Sequence, residues 1–357
     1  MNKIDATHAD RLNRVRTELT TRKLDGLLIQ DRMDQYWLTG FTGEDGQVLV
    51  TQRGVSLLTD GRFDQTADIE AAWARKVLRK KRGPEATAKE IRRAKLGRIG
   101  YESTHMNVYW FTELSKALKP AKLVPASGII SGMRKIKDAG EIAAIRRAIE
   151  IAETCFRALQ DWLRPGMTEQ YVASRLVFEM QAAGAQEAAF QPIVAAGATG
   201  SLPHYEPGSR EVSKTEGLLI DWGARAGWYV SDLTRTIWPG SIPPKLGKVY
   251  DVVREAHDRA IDAVRPGIKA KTVDSVARSI IRKSGFGKQF NHSLGHGIGL
   301  NVHESPRLGQ ASEEILQPGM VVTIEPGIYL PGVGGVRLED DVLVTETGHE
   351  VLSSLPV

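Results

Sequence analysis

The chain has 357 residues, 25% of them charged and 41% hydrophobic, with a formal net charge of +5; it is long for one core, and two domains of ordinary soluble composition are expected. A single cysteine, Cys155, excludes an internal disulfide framework and any cysteine-based zinc site, and reads as a small core residue on a helix. The N-terminal MNKIDATHADRLNRVR lacks the apolar segment of a signal peptide, and no run approaches the ~18 apolar residues of a membrane span, so a cytoplasmic protein without a membrane partner is expected.

Residues 1–130 alternate short apolar runs, DGLLIQ, GQVLVT, VSLLTD and GRIGYE, with helical stretches, which predicts a small α/β domain. Residues 75–98 hold eleven Lys/Arg against Glu85 and Glu90. Without an aromatic after Trp73 to stack a base, this stretch reads as a solvated helix face or loop and not as a nucleic-acid site. Residues 125–141, PASGIISGMRKIKDAGE, make a junction before a long helix. That helix carries Ile142, Ile145, Ile149, Ala152, Phe156, Leu159 and Leu163 on one face and stops at Pro165-Gly166.

The second domain, 138–357, reads as built twice. Arg164-Pro165-Gly166 answers to Arg265-Pro266-Gly267, His204 to His303, Asp221 to Glu325 and Asp232 to Glu339, at offsets of 101, 99, 104 and 107 residues. This period is too long for a solenoid and suggests a duplicated helix-and-hairpin unit, chance matching of common turn motifs being the alternative. In the first hairpin, GLLIDWGARAGWYVSDLTRT, a turn at Ala226-Gly227 sets Asp221 directly opposite Asp232. Facing like charges repel, so a positive group is expected between them, unless a register shift separates and solvates the pair. Glu325 and Glu339 stand symmetrically about Gly332 in the second hairpin. Between the hairpins, NHSLGHGIGLNVHE interleaves His292, His296 and His303 with glycines that disfavour a helix, so loop and strand are expected.

Four carboxylates and an imidazole are oxygen and nitrogen donors without thiolate, a set suited to Mn, Co, Fe or Zn. Five ligands exceed one ordinary zinc site, whereas two ions ~3.5–4 Å apart, bridged by carboxylates, would account for acids facing across strands.

The motifs IDWGA, SDLTRT, GHGIGL, TIEPGIY and VRLEDD resemble, in order and spacing, those of the pita-bread metallopeptidases, a family that includes methionine aminopeptidase, aminopeptidase P and prolidase. YWLTGFTG and LTDGRFDQTA resemble the companion domain of the aminopeptidase P, prolidase and creatinase branch. The resemblance implies an α/β N-terminal domain and an α+β pita-bread catalytic domain of duplicated helix-and-hairpin units. It implies two divalent ions, manganese first, with cobalt, zinc or iron as alternatives, held by Asp221, Asp232, His296, Glu325 and Glu339, with Asp232 and Glu339 as bridges. Creatinase shares both domains but lacks these ligands, so peptide hydrolysis is expected.

His204 and His303 fall on substrate-contacting positions, where they would hold the substrate or stabilise an oxyanion, and Glu325 would also shuttle a proton. His292 and Arg337 fall on supporting positions. Trp222 stands beside the first ligand where Phe or Tyr is more usual. The expected activity is an Xaa-Pro aminopeptidase acting on short proline-containing peptides, with prolidase, an Xaa-Pro dipeptidase, as the alternative and a non-catalytic peptide-binding protein as the rival class. A dipeptidase must recognise the proline carboxylate; Arg307 is a candidate, an exposed structural arginine being the other reading. A homodimer is expected.

Overall fold

The apolar runs of the N-terminal third form the middle of a six-stranded sheet, as a computed structural model of the chain describing residues 4–80 and 83–357 shows. Its strands are β1 (Gly26–Ile29), β2 (Gly46–Thr51), β3 (Val55–Asp60), β4 (Arg75–Arg79), β5 (Arg98–Tyr101) and β6 (Lys122–Pro125), in the order β4-β3-β2-β1-β5-β6. β2 runs antiparallel to both its neighbours, while β3 with β4, and β1 with β5 and β5 with β6, pair in parallel. The helices are α1 (Ala6–Thr21), α2 (Arg32–Thr39), α3 (Asp64–Glu70), α4 (Glu85–Arg93), α5 (Val108–Leu118) and α6 (Ile129–Arg134). Leu28, Leu49, Leu58, Ile91, Ile99 and Leu114 pack one core between sheet and helices.

The basic stretch 75–98 departs in part from the expected solvated helix face or loop. Its first residues are β4, an edge strand, where charged side chains blunt the unpaired edge; α4 follows, while Lys81 and Arg82 lie outside the described residues. Several of its charges are paired within the unit: Lys76 with Asp64 and Asp68, Arg79 with Asp45, and Arg75 and Arg93 with Glu90.

The chain divides into two compact units at Arg134/Lys135, inside the Gly/Ser/Lys-rich stretch. The second unit opens with α7 (Ala139–Trp162), started by a reciprocal capping box between Asp138 and Glu141. Ile145, Ile149, Ala152, Cys155, Phe156 and Leu159 form its buried stripe, Cys155 being a free thiol in the core. α8 (Glu169–Ala182) follows a turn at Gly166 (φ 89°); α9 (Pro244–Ala263) and α10 (Ala270–Lys283) repeat the arrangement around Gly267 (φ 85°). The two turns are held alike, Gly166 N–H donating to Val212 O at 3.0 Å and Gly267 N–H to Leu316 O at 2.8 Å. Each half has its own apolar core, one packed on α7 and α8 and one on α9 and α10.

The first half carries β7 (Glu187–Ala188), β8 (Ile193–Ala196), β9 (Leu218–Trp222), β10 (Ala224–Ala226), β11 (Tyr229–Val230) and β12 (Leu233–Ile237). The second carries β13 (Gly295–Gly297), β14 (Glu304–Leu308), β15 (Val321–Ile324), β16 (Gly327–Leu330), β17 (Gly334–Arg337), β18 (Asp340–Val344) and β19 (His349–Val351). The halves meet along β12, where Thr234 bridges to Glu339 and Glu339 N–H donates to Thr234 O at 3.1 Å.

The first hairpin corrects its expected register. Its turn is centred on Gly227-Trp228 (φ 55° and 73°), so Asp221 faces Thr234 and not Asp232. A turn with two positive φ angles suits the right-handed twist of a hairpin, and Gly227 takes the first of these positions where Ala226 would have had to. Trp228 is held in the second by Gln186 Oε1, which accepts from its N–H at 2.8 Å, and by Arg225, which donates to its carbonyl at 2.7 Å. Asp232 lies two residues from Thr234 and so keeps the same face of the sheet as Asp221, diagonally placed. In the second hairpin the pairings Ile324↔Asp340 and Gly327↔Arg337 bracket Glu325 and Glu339, which therefore face each other as expected.

Candidate metal centre

Strand alternation assembles the centre. Asp232 and Thr234 share one face of the first hairpin; Arg337, Glu339 and Asp341 share one face of the second. Thr234 Oγ1 donates to Glu339 Oε2 at 2.6 Å, and Asp232 N–H to Asp341 Oδ2 at 3.2 Å, stitching the two faces together. β13 brings in His296, whose N–H donates to Thr323 Oγ1 at 3.1 Å. Its Nε2 stands 3.3 Å from Glu325 Oε1 and 3.6 Å from Asp232 Oδ2. Donor atoms of Asp232, His296 and Glu339 all lie within 4.8 Å of one another.

Asp221, Asp232, Glu339 and Asp341 are buried and Glu325 partly so. Loss of solvent raises the carboxyl pKa of every one; mutual repulsion adds to it, Glu339 acting on Asp232 and Glu325 on Glu339, and Glu325 is pushed up to about 8. Burial works against the Arg337 cation as well, yet Tyr329, Asp221, Glu339 and Glu325 around it hold it firmly protonated. Desolvation pushes His296 down to about 4, with His303 adding to the effect.

A positive group was expected between Asp221 and Asp232; Arg337 stands beside Asp221 and bonds it alone of the two. Its guanidinium donates to Asp221 Oδ2 at 2.5 Å, to Thr234 Oγ1 at 3.0 Å and to Tyr329 Oη at 2.9 Å. Tyr329 Oη lies 2.9 Å from His292 Nε2, and His292 Nδ1 lies 2.8 Å from Ser293 O. Burial, reinforced by Arg337, pushes His292 down to about 3, so it is neutral; its Nδ1–H donates to Ser293 O and its Nε2 accepts from the tyrosine. Asp221 is thus fixed through Arg337 and Tyr329 to the His292 loop.

One guanidinium does not satisfy five carboxylates. Among the described residues Asp221 Oδ1 and Asp341 Oδ1 find no hydrogen-bond donor though buried, a costly state for an acceptor. An oxygen-rich set with one imidazole and too few donors fits divalent cations of the Mn, Co, Fe or Zn type.

The remaining residues lie at the rim. His303 is exposed, its ring centre 4.4 Å from that of His296. His204 is exposed, and its charge adds to the lowering of His303 and of His292, each of which is lowered first by burial. Arg307 is exposed and directly opposite His296 in the β13–β14 ladder, its Nε donating to Ser293 Oγ at 2.8 Å. Trp222 does not shape the site. Alternation turns it to the other face of β9, where it is fully buried, stacks on Phe156 at 4.4 Å and donates through Nε1 to Ala152 O at 2.9 Å.

Thr234, Tyr329 and Asp341 were not singled out from sequence, although all three fall inside the motifs quoted above. Period-two alternation from Asp232 and Glu339 points to Thr234 and Asp341. Tyr329 has no such signal, because its role depends on partners 8 and 37 residues away.

Residues 143–346 match metallopeptidase family M24, and residues 11–136 match the creatinase/prolidase N-terminal domain. The chain is 41% identical over 255 residues to an Xaa-Pro dipeptidase of Pyrococcus horikoshii, covering 71% of this chain and 72% of that one. Its structure is similar to that of an Xaa-Pro dipeptidase from Bacillus anthracis (TM-score 0.95, 34% identity, 98% of each chain covered). It is also similar to an X-Pro aminopeptidase from Thermotoga maritima (TM-score 0.90, 34% identity, 97% of this chain and 98% of that one covered). The chain therefore belongs to metallopeptidase family M24, with a creatinase/prolidase-type N-terminal domain.

Proposed function

We propose that this enzyme is an Xaa-Pro dipeptidase, a prolidase, in which Asp221, Asp232, His296, Glu325 and Glu339 would hold two divalent ions, Asp232 and Glu339 contributing to both. The observation that carries the dipeptidase reading is Arg307: its backbone faces His296, its Nε is tethered to Ser293 Oγ, and its side chain is exposed. An arginine so placed can pair with the free carboxylate that a dipeptide presents one residue beyond the scissile bond. The named dipeptidases among the relatives support this over the aminopeptidase expected from sequence; the Thermotoga aminopeptidase keeps the latter as the second reading.

When bound, such ions polarise the scissile carbonyl and acidify a water. The chain's own groups supply the rest. Glu325, beside His296 and hydrogen-bonded to Thr323 Oγ1 at 3.3 Å, takes the proton of the attacking water and returns it to the departing proline nitrogen. His204 and His303 at the rim hold the substrate carbonyl and the oxyanion that develops from it. Arg337 and Tyr329 keep Asp221 and His292 in fixed orientations.

The test is a length series, alanyl-proline against alanyl-prolinamide and an Ala-Pro-Yaa tripeptide. A prolidase strongly prefers the free dipeptide, and Arg307→Ala lowers kcat/KM for it by about 10-fold to 100-fold, the worth of one charged hydrogen bond, with little change for the amide. Equal or better turnover of the tripeptide contradicts the proposal and favours the aminopeptidase.

A further inference from the structure

His204 sits on an irregular segment between β8 and β9, where no strand ladder fixes its backbone. Both ends of the segment are instead tied to one buried side chain. Glu169, in the first turn of α8, is completely buried. Its Oε1 accepts from Ala196 N–H at 2.8 Å and from Thr199 Oγ1 at 2.6 Å; its Oε2 accepts from Tyr205 Oη at 2.7 Å and from Gly208 N–H at 3.1 Å. One oxygen thus serves the beginning of the segment and the other its end, with His204 between them. The helix start adds two backbone bonds, Glu169 N–H to Arg210 O at 2.9 Å and Gln170 N–H to Gly208 O at 3.0 Å.

The segment is keyed to the metal centre at two further points. A Cβ on Gly335 would stand 2.0 Å from Gly200 O, so the backbones touch there. Pro203 O, one residue before His204, accepts from Arg337 Nη1 at 3.4 Å, the same guanidinium that holds Asp221. A buried carboxylate with four donors is fully satisfied and has no acid–base work of its own.

We propose that Glu169 is a positioning residue for His204: its carboxylate, by clamping both ends of segment 196–208, fixes the imidazole where the substrate carbonyl must stand. The proposal rests on the reading of His204 as a substrate-side group. It predicts that Glu169 affects turnover only through that histidine.

The experiment is a double-mutant cycle on the full chain, metal-loaded, with alanyl-proline as substrate, together with metal content and melting temperature for every variant. Glu169→Gln lowers kcat by about 10-fold to 100-fold, the loss expected when a reacting group is misplaced by an ångström or less. Metal content stays at the wild-type level. In the His204→Ala background the same substitution lowers kcat by less than about twofold, because coupled residues are not additive. Multiplicative losses in the double variant overturn the proposal and make Glu169 a general stabiliser of the fold. Undiminished kcat in His204→Ala alone overturns the role of His204, and the proposal with it. Tyr205→Phe removes one donor and leaves the ring packed in the cluster of Ile193, Ala195, Leu219 and Tyr329. It decides the matter should Glu169→Gln fail to fold: a fall in kcat that disappears in the His204→Ala background supports the clamp, and an unchanged kcat overturns it.

Discussion

Each unit of the chain buries a cluster of carboxylates around a single arginine, and the two clusters are built to opposite ends. In the N-terminal unit Asp34 pairs with Arg134 at 2.6 Å, and Glu102 Oε2 accepts from the N–H groups of Gln30 at 2.6 Å and Asp31 at 2.8 Å. Asp31 caps α2 through Asp34 N–H at 2.7 Å and pairs with His105 at 2.9 Å. Backbone and side-chain donors of the unit itself meet these acids. In the catalytic unit the carboxylates crowd one another; among the described residues Arg337 hydrogen-bonds Asp221 alone of them, and buried oxygens of Asp221 and Asp341 have no donor. Burial of acids is common to both. What makes the second cluster a candidate metal centre is the shortage of donors, together with an imidazole whose pKa is pushed down, by burial first, as a metal ligand requires.

Substitution breaks the comparison most sharply. Asp232→Ala or Glu339→Ala should abolish turnover and empty both metal positions without unfolding the chain, whereas Glu102→Gln should leave kcat within about twofold, Glu102 bonding Gln30 and Asp31 of its own unit. Parallel measurement of kcat and bound metal in the three variants checks this; full occupancy and normal turnover in either catalytic variant would sink the ligand assignment.

A smaller loss separates the ligands from the rim. His204→Ala and His303→Ala should each lower kcat by about 10²–10³, the size seen when one oxyanion donor is removed, with metal content nearly unchanged. Metal titration tells the roles apart, since a histidine whose loss strips an ion in proportion to activity belongs to the ligand set.

The smallest effect belongs to the N-terminal cluster. Burial, then the charge of Asp34, pushes Glu102 up to about 9, so the folded unit binds its proton more tightly than the unfolded chain does. That stability is fully present below the ordinary glutamate value of 4.5 and is lost as pH rises through about 9. Denaturant melts between pH 6 and pH 9.5 should show a steeper fall in wild type than in Glu102→Gln. Identical slopes would mean that Glu102 is not held protonated.

Much of this was legible in the chain itself, for identifiable reasons. Period-two alternation and the symmetric placement of Glu325 and Glu339 specified the second hairpin, because Gly332 lies at its centre and no extra residue intervenes. The first hairpin was displaced because Trp228, a bulky residue at positive φ, is a turn position that propensity does not anticipate. β4 was hidden by its charge, an edge strand rich in Arg and Lys resembling a solvated face. Arg337 could be named as a supporting residue, but its side-chain partners Asp221, Thr234 and Tyr329 come from three different strands, and only the folded chain brings them together.

Elemental analysis of the purified full chain tests whether two divalent ions meet the donor shortage in the catalytic unit. The protein is stripped with chelator, reloaded with manganese, cobalt, zinc or iron, and dialysed, with alanyl-proline turnover followed at each stage. The expected result is about two ions per chain, turnover lost on stripping and restored on reloading, and neither ion retained in Asp232→Ala. Undiminished turnover in the stripped protein, or ions retained in full by Asp232→Ala, would contradict it.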